Sequence, residues 1–176
     1  YVIPKAGSKI YLGQAQITFY GPLENNYKYG RQVDLNVRQE NKYSIVTRIV
    51  YGKNSFLMTG DAQRETIEKI IKKGYNLQAQ VLKEPHHGYQ DVKEKDKLIA
   101  GRTSDHKLLI DHTKANIAVI SNGYKNTGEV PMKNVLTDLS KMDIYETGNR
   151  GTIVITSDGS HLYVRTEKGG NKPSVN

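Results

Sequence analysis

Ser55-Phe56-Leu57-Met58-Thr59-Gly60-Asp61-Ala62 is the stretch on which the fold turns. Residues 55–58 are mostly apolar and too few for a helix, so they read as a buried strand. The strand stops at Gly60, and Asp61 presents a carboxylate where the next element begins. Residues 62–73 then place Ile67, Ile70 and Ile71 at helical spacing, with Lys69, Lys72 and Lys73 among them on the wet side. A strand that hands over directly to a helix marks an α/β unit, and open α/β sheets bind ligands beyond the carboxyl ends of their strands. Asp61 falls at such an end. It also falls at the expected N-cap of the helix, where Asp is favoured for purely local reasons.

Upstream, residues 9–12 and 14–20 read as two strands around Gly13, the second alternating Ala15, Ile17 and Phe19 with polar residues. Residues 23–41 are polar and turn-rich and read as a long surface loop. Residues 43–51 form the next strand, which Gly52-Lys53-Asn54 turns back into the 55–58 strand as a hairpin. Downstream, Gly74 is placed to close the helix, and residues 79–82 form a strand leading into Lys83-Glu84-Pro85-His86-His87-Gly88.

Residues 89–114 carry no readable period. Asn116-Ile117-Ala118-Val119-Ile120-Ser121 is a continuous apolar strand of the kind covered on both faces. Residues 123–131 follow as a loop. Met132, Val135, Leu136 and Leu139 mark an amphipathic helix, 143–147 a strand, and 152–156 with 161–165 a closing hairpin. The domain is expected over residues 1–165, with 166–176 as a flexible tail.

A chain of 176 residues suffices for one domain or for part of a larger one. Its net charge of +8 suits a polyanionic partner, although the lysines are scattered as on an ordinary solvated surface. The absence of cysteine excludes disulfides, thiolate metal sites and a cysteine nucleophile. No apolar run reaches the length of a membrane span and no signal peptide is visible, while a start at Tyr1 suggests that upstream sequence has been removed. Neither a Gly-x-Ser-x-Gly elbow nor a Gly-x-x-x-x-Gly-Lys loop is present.

The chemistry therefore rests on histidines and carboxylates. His86 and His87 directly follow a strand and precede a glycine. If that strand neighbours the 55–58 strand, both loops open on one sheet edge, and a carboxylate and an imidazole there suit a shared zinc or manganese ion. The competing reading is a histidine pair that only packs or solvates. His106, His112 and His161 are read as structural.

Residues 41–46, Tyr51-Gly52, 56–62, Val81-Leu82-Lys83-x-x-His86-His87-Gly88, 117–121, Tyr145-Glu146-Thr147 and 151–159 together resemble the metallo-β-lactamase superfamily. The similarity is greatest to the branch holding the extracellular hydrolase domain of competence proteins that import DNA, and it extends in consistent order over residues 8–165. It implies an α/β fold, the αββα sandwich of mixed sheets with flanking helices, of which this chain is the C-terminal portion. It also implies two divalent ions, zinc or manganese, in the parent enzyme. Asp61 matches the bridging aspartate and His87 a ligand, with His86 in a supporting or proton-transfer role.

The family's His-x-His-x-Asp-His set does not occur in these residues, so the missing N-terminal half of the domain is an implied partner, and this chain alone is expected to hold metal weakly or not at all and to be inactive. Tyr89 replaces the usual serine after His-His-Gly. Gly128-Glu129-Val130-Pro131 replaces a Gly-His-Pro loop, leaving Tyr89 and Glu129 as substrate-side candidates. The implied activity is hydrolysis of a phosphodiester, in DNA or a cell-wall polymer such as teichoic acid, outside the cytoplasm of a bacterium. An esterase, lactonase or phosphorylcholine esterase of the same fold, or a polyanion-binding module without catalysis, are the alternatives.

Overall fold

The computed structural model describes residues 4–23, 41–89, 105–123, 130–169 and 171–175. The hairpin around Gly52 forms: β3 (Thr47–Tyr51) and β4 (Asn54–Met58) pair antiparallel with Tyr51 opposite Asn54, leaving a two-residue turn. β1 (Lys9–Leu12) and β2 (Ala15–Phe19) extend this antiparallel half. On the other side of β4, β5 (Val81–Lys83), β6 (Ile117–Ile120) and β7 (Asp143–Glu146) add in parallel, giving a seven-stranded mixed sheet in chain order.

Parallel neighbours need crossovers, and helices supply them: α1 (Arg64–Lys72) between β4 and β5, α2 (Asp105–Thr113) between β5 and β6, and α3 (Lys133–Asp138) between β6 and β7. A short α4 (Thr147–Arg150) follows β7. A second sheet of three antiparallel strands, β8 (Ile153–Ser157), β9 (Leu162–Thr166) and β10 (Asn171–Val175), lies in the order β10-β9-β8.

Alternation along the strands assigns the layers. Leu57 and Leu82 pack with Ile67 and Ile70 of α1 and Leu109 of α2, and Ala118 and Ile120 pack with Val135 and Leu139 on the α3 side. Val81, Ile117 and Tyr145 face the opposite way, onto Leu162 and Val164 of β9 with Ile153 and Ile155 of β8. The described chain is therefore a three-layer α/β structure: helices, the mixed sheet, then the small sheet. Leu57, Leu82, Ile117 and Ile120 are fully buried, each contributing roughly 1.5–3 kcal/mol by leaving water. β6 is thus covered on both faces, as its unbroken apolar run implies.

Asn54 ties the two sheets together, donating from Nδ2 to Ser157 Oγ at 2.7 Å and to the His161 carbonyl at 2.8 Å. The β8–β9 turn that it meets is held by Asp158, whose carboxylate accepts the backbone N–H groups of Ser160 (2.8 Å) and His161 (2.7 Å) and the Tyr163 hydroxyl (3.0 Å).

Three sequence readings change. The residue at the N-cap of α1 is Gln63, not Asp61, so the aspartate lies before the helix and its carboxylate is not committed to capping. β3 begins at Thr47, four residues later than expected. The unreadable segment contains α2, whose apolar residues Leu108, Leu109 and Ile110 are consecutive and give no helical period. Within residues 166–176, β10 pairs with β9 through Asn171–Arg165 and Lys172–Val164. Backbone pairing at a sheet edge does not require the apolar pattern that its sequence lacks, and the register shifts around Pro173, which has no N–H to donate.

Candidate functional site

Because β4 and β5 are parallel, the chain leaves both at one edge, and the segments 59–61 and 84–88 lie side by side. The backbone N–H of His86 donates to the Gly60 carbonyl at 3.1 Å, joining them. Asp61 is fixed from its other side by Ser44, whose Oγ accepts the Asp61 N–H at 3.1 Å.

Pro85–Gly88 forms a single 3-10 turn in which two successive non-glycine residues adopt left-handed backbone, His86 at φ 49° and His87 at φ 58°. Each such residue costs on the order of 1–3 kcal/mol and persists only where the surroundings over-determine it. Here they do. Tyr89 N–H donates to the His86 carbonyl at 2.8 Å, Met132 N–H donates to the Gly88 carbonyl at 3.0 Å, and Gly88 sits against Pro131.

The strain aims the two rings in different directions. His87 Nδ1 lies 2.6 Å from the Ser121 carbonyl at the end of β6. A carbonyl only accepts, so Nδ1 carries the proton and Nε2 of the neutral ring carries a lone pair. That Nε2 lies 3.6 Å from Asp61 Oδ1, with both side chains roughly half exposed, at 49% and 40%. Two lone-pair donors facing each other across this gap form a place for a cation, either a proton on the imidazole or a metal ion. Fixing the far nitrogen of a histidine on a carbonyl is the usual support of a metal ligand.

His86 turns away. Its Nε2 is 3.3 Å from Asn41 Nδ2, and its ring meets Tyr89 edge-on at 5.2 Å between centroids. Lys83, the last residue of β5, brings an ammonium close by, with Nζ donating to the Glu84 carbonyl at 2.6 Å. Burial pushes the Lys83 ammonium below its ordinary range, against the opposing pull of the Asp61 and Glu84 carboxylates.

The structure thus brings together Asp61 and His87 and keeps His86 and Tyr89 beside them as a packed pair. Glu129 lies outside the described residues, as does the His106 side chain. His112 Nδ1 meets the Leu108 carbonyl of its own helix at 2.8 Å, and His161 belongs to the Asp158 turn. Asn41, Ser44, Lys83 and Ser121 were missed as site residues. Lys83 ends β5, Ser121 follows β6, and Ser44 lies three residues before β3, adjacency that is readable in the sequence, whereas Asn41 lies six residues before β3.

Among the described residues no group of three or more His, Asp or Glu side chains converges as a metal cage. Asp61 and His87 therefore fit part of a divalent-metal site, two donors where a zinc site takes three or four from protein. Among the described residues no helix is long and apolar enough to cross a membrane.

No family model matches the chain. It is similar to Recombination protein 2 of Haemophilus influenzae, with 30% identity over 104 residues, which is 59% of this chain and 11% of that protein. The aligned part is thus a small fraction of the length of the curated relative.

Proposed function

We propose that this chain is the portion of a metallo-β-lactamase-fold, metal-dependent hydrolase that supplies Asp61 and His87 to a metal site completed by polypeptide outside it. The observation that carries the reading is the pair of facing donors, Asp61 Oδ1 and His87 Nε2 at 3.6 Å, with the imidazole locked by Ser121 in the tautomer a metal requires. The helix–sheet–sheet layering agrees with three of the four layers of an αββα sandwich. A zinc or manganese ion bound there would supply Lewis acidity and an activated water for hydrolysis.

The chain's own residues do the positioning. Ser44 and Gly60 hold the aspartate loop, Ser121 orients His87, and His86 braces the turn through Asn41 and Tyr89. Lys83 places a positive charge at the same edge, suited to an anionic phosphodiester. The name of the similar protein, Recombination protein 2, and the net charge of +8 favour DNA over other phosphodiesters as the parent's substrate.

Calorimetric titration of the chain with zinc and with manganese, beside Asp61→Ala and His87→Ala, tests the reading. Weak binding that disappears in both variants is expected. Binding unchanged in either variant sinks the shared site. DNA retention that survives Asp61→Ala with no metal uptake by the wild type would instead make this a polyanion-binding module.

A further inference from the structure

β6 and β7 stop pairing at Ile120–Glu146, so the ladder does not hold the Ser121 carbonyl that fixes His87. What holds it is α4, the short helix that follows β7. The Asn122 backbone N–H donates to Thr147 Oγ1 at 2.8 Å. The same hydroxyl donates to the Asn122 carbonyl at 2.7 Å, nearer than the Ile120 carbonyl at 3.5 Å. The Asn122 side chain closes the arrangement: Oδ1 accepts the Gly148 N–H at 2.9 Å, and Nδ2 donates to Glu146 Oε2 at 3.0 Å. Gly148 is buried, and a Cβ there would collide with the Gly123 carbonyl and come within 3.1 Å of Asn122 Oδ1. The two segments therefore meet at the closest approach that a glycine allows.

The Ser121 carbonyl and the Asn122 N–H belong to one trans peptide unit, which is planar and points the two groups in opposite directions. Thr147 Oγ1 grips one end of that plane, and His87 Nδ1 meets the other at 2.6 Å. Turning the carbonyl away from the imidazole would therefore break the Thr147 bond as well. A peptide whose N–H is already bonded also offers a better accepting carbonyl, because hydrogen bonds in a chain polarise one another.

We propose that Thr147 is a positioning residue for His87: acting through the Ser121–Asn122 peptide, its hydroxyl keeps the proton on Nδ1 and the Nε2 lone pair toward Asp61. Glu146 and Gly148 support that peptide through the Asn122 side chain. The 3.6 Å approach of Nε2 to Asp61 Oδ1 is then set from four strand ends, with Asp61 after β4, His87 after β5, Ser121 after β6 and Thr147 after β7. The consequence for a metal rests on the site proposed above, whereas the consequence for the ring does not.

Long-range proton–nitrogen NMR spectra of the nitrogen-labelled chain, in alkaline solution that keeps imidazoles neutral, read which ring nitrogen carries the proton. The His87 signals are assigned by their loss in His87→Gln. Wild type is expected to show the Nδ1–H form. Thr147→Val, which keeps the volume and removes the hydroxyl, should shift the ring toward the Nε2–H form that free histidine favours. Thr147→Ser keeps the hydroxyl and should keep the wild-type spectrum. In a parallel zinc titration the Kd of Thr147→Val should rise about threefold to tenfold, at or below the usual loss for groups that support a metal ligand.

A wild type with the proton on Nε2, or an unchanged tautomer in folded Thr147→Val, overturns the proposal. A shift in Thr147→Ser as large as in Thr147→Val overturns it too, since packing rather than the hydroxyl would then be responsible. Should Thr147→Val fail to fold, Thr147→Ala is read by the same criteria. A wild type that takes up no zinc, beside a tautomer shift in Thr147→Val, sinks the metal site and upholds the positioning of His87.

Discussion

Replacing Gly88 by alanine separates the two physical demands that the histidine turn makes on its last residue. Gly88 has φ +78°, and a Cβ built there meets Pro131 Cβ at 2.7 Å and Cα at 3.1 Å. Gly74, at the end of α1, has φ +73° but open space where its Cβ would go. Alanine at either position incurs the left-handed penalty of about 1–2 kcal/mol. Only at Gly88 does it also overpack, adding roughly 1–3 kcal/mol as Pro131 and the turn move apart.

Taking about 2 kcal/mol for that excess, Gly88→Ala should melt roughly 4–8 °C below Gly74→Ala in a chain of this size. Thermal unfolding followed by circular dichroism, with urea titrations to confirm a common m-value, reads the difference. On the proposed metal site, Gly88→Ala should also weaken the zinc binding titrated for the chain, because His87 is the neighbouring residue, whereas Gly74→Ala should leave it unchanged. Equal losses of melting temperature in the two variants would refute the claim that Pro131 clamps the turn.

Other perturbations test the frame around the site. Asn54→Ala removes both side-chain bonds to the β8–β9 turn and should cost about 1–3 kcal/mol in urea denaturation, since the His161 carbonyl loses a buried donor. Leu82→Ala, at a fully buried position between β5 and the helices, should cost about 2–5 kcal/mol by the same assay. The hydrogen bonds from His161, Ser160 and Tyr163 hold the Asp158 carboxyl well below its ordinary value of 3.8. Its stabilising contribution is therefore complete at neutral pH and is lost as pH falls below that value toward the folded one. The stability gap between wild type and Asp158→Asn should narrow over that acid range, and a gap independent of pH would contradict the assignment.

The parts of this structure that follow from short periods were legible in the sequence. The 55–58 strand, its hairpin with β3, the helix after Asp61 and the doubly covered β6 all follow from alternation, helical spacing or an unbroken apolar run. The meeting of Asp61 with His87 was legible for a topological reason, since two parallel neighbours must release their chains at the same edge. What the sequence hid has physical causes as well. Asp61 satisfies every local preference for an N-cap, yet α1 starts later, at a boundary that packing decides rather than propensity. Nothing in His86-His87 announces left-handed backbone, which glycine or asparagine would have done. That conformation is imposed by Gly60, Met132 and Pro131, all distant along the chain or set by the fold.

The switch at β4, antiparallel to β3 and parallel to β5, has a consequence for how such a protein diversifies. Phe19 at the end of β2, Thr47 at the start of β3 and Met58 at the end of β4 stand in one register line, which Lys83 and Val119 continue through β5 and β6. The connections after β2, β4, β5 and β6 therefore all depart from the edge that holds Asp61 and His87, while the β1–β2 and β3–β4 turns at the opposite edge are tight. Insertions and deletions at the first edge change what surrounds the pair without disturbing a strand. Loop length at that edge is therefore free to vary around Asp61 and His87, while the strand register that brings the two side chains together stays fixed.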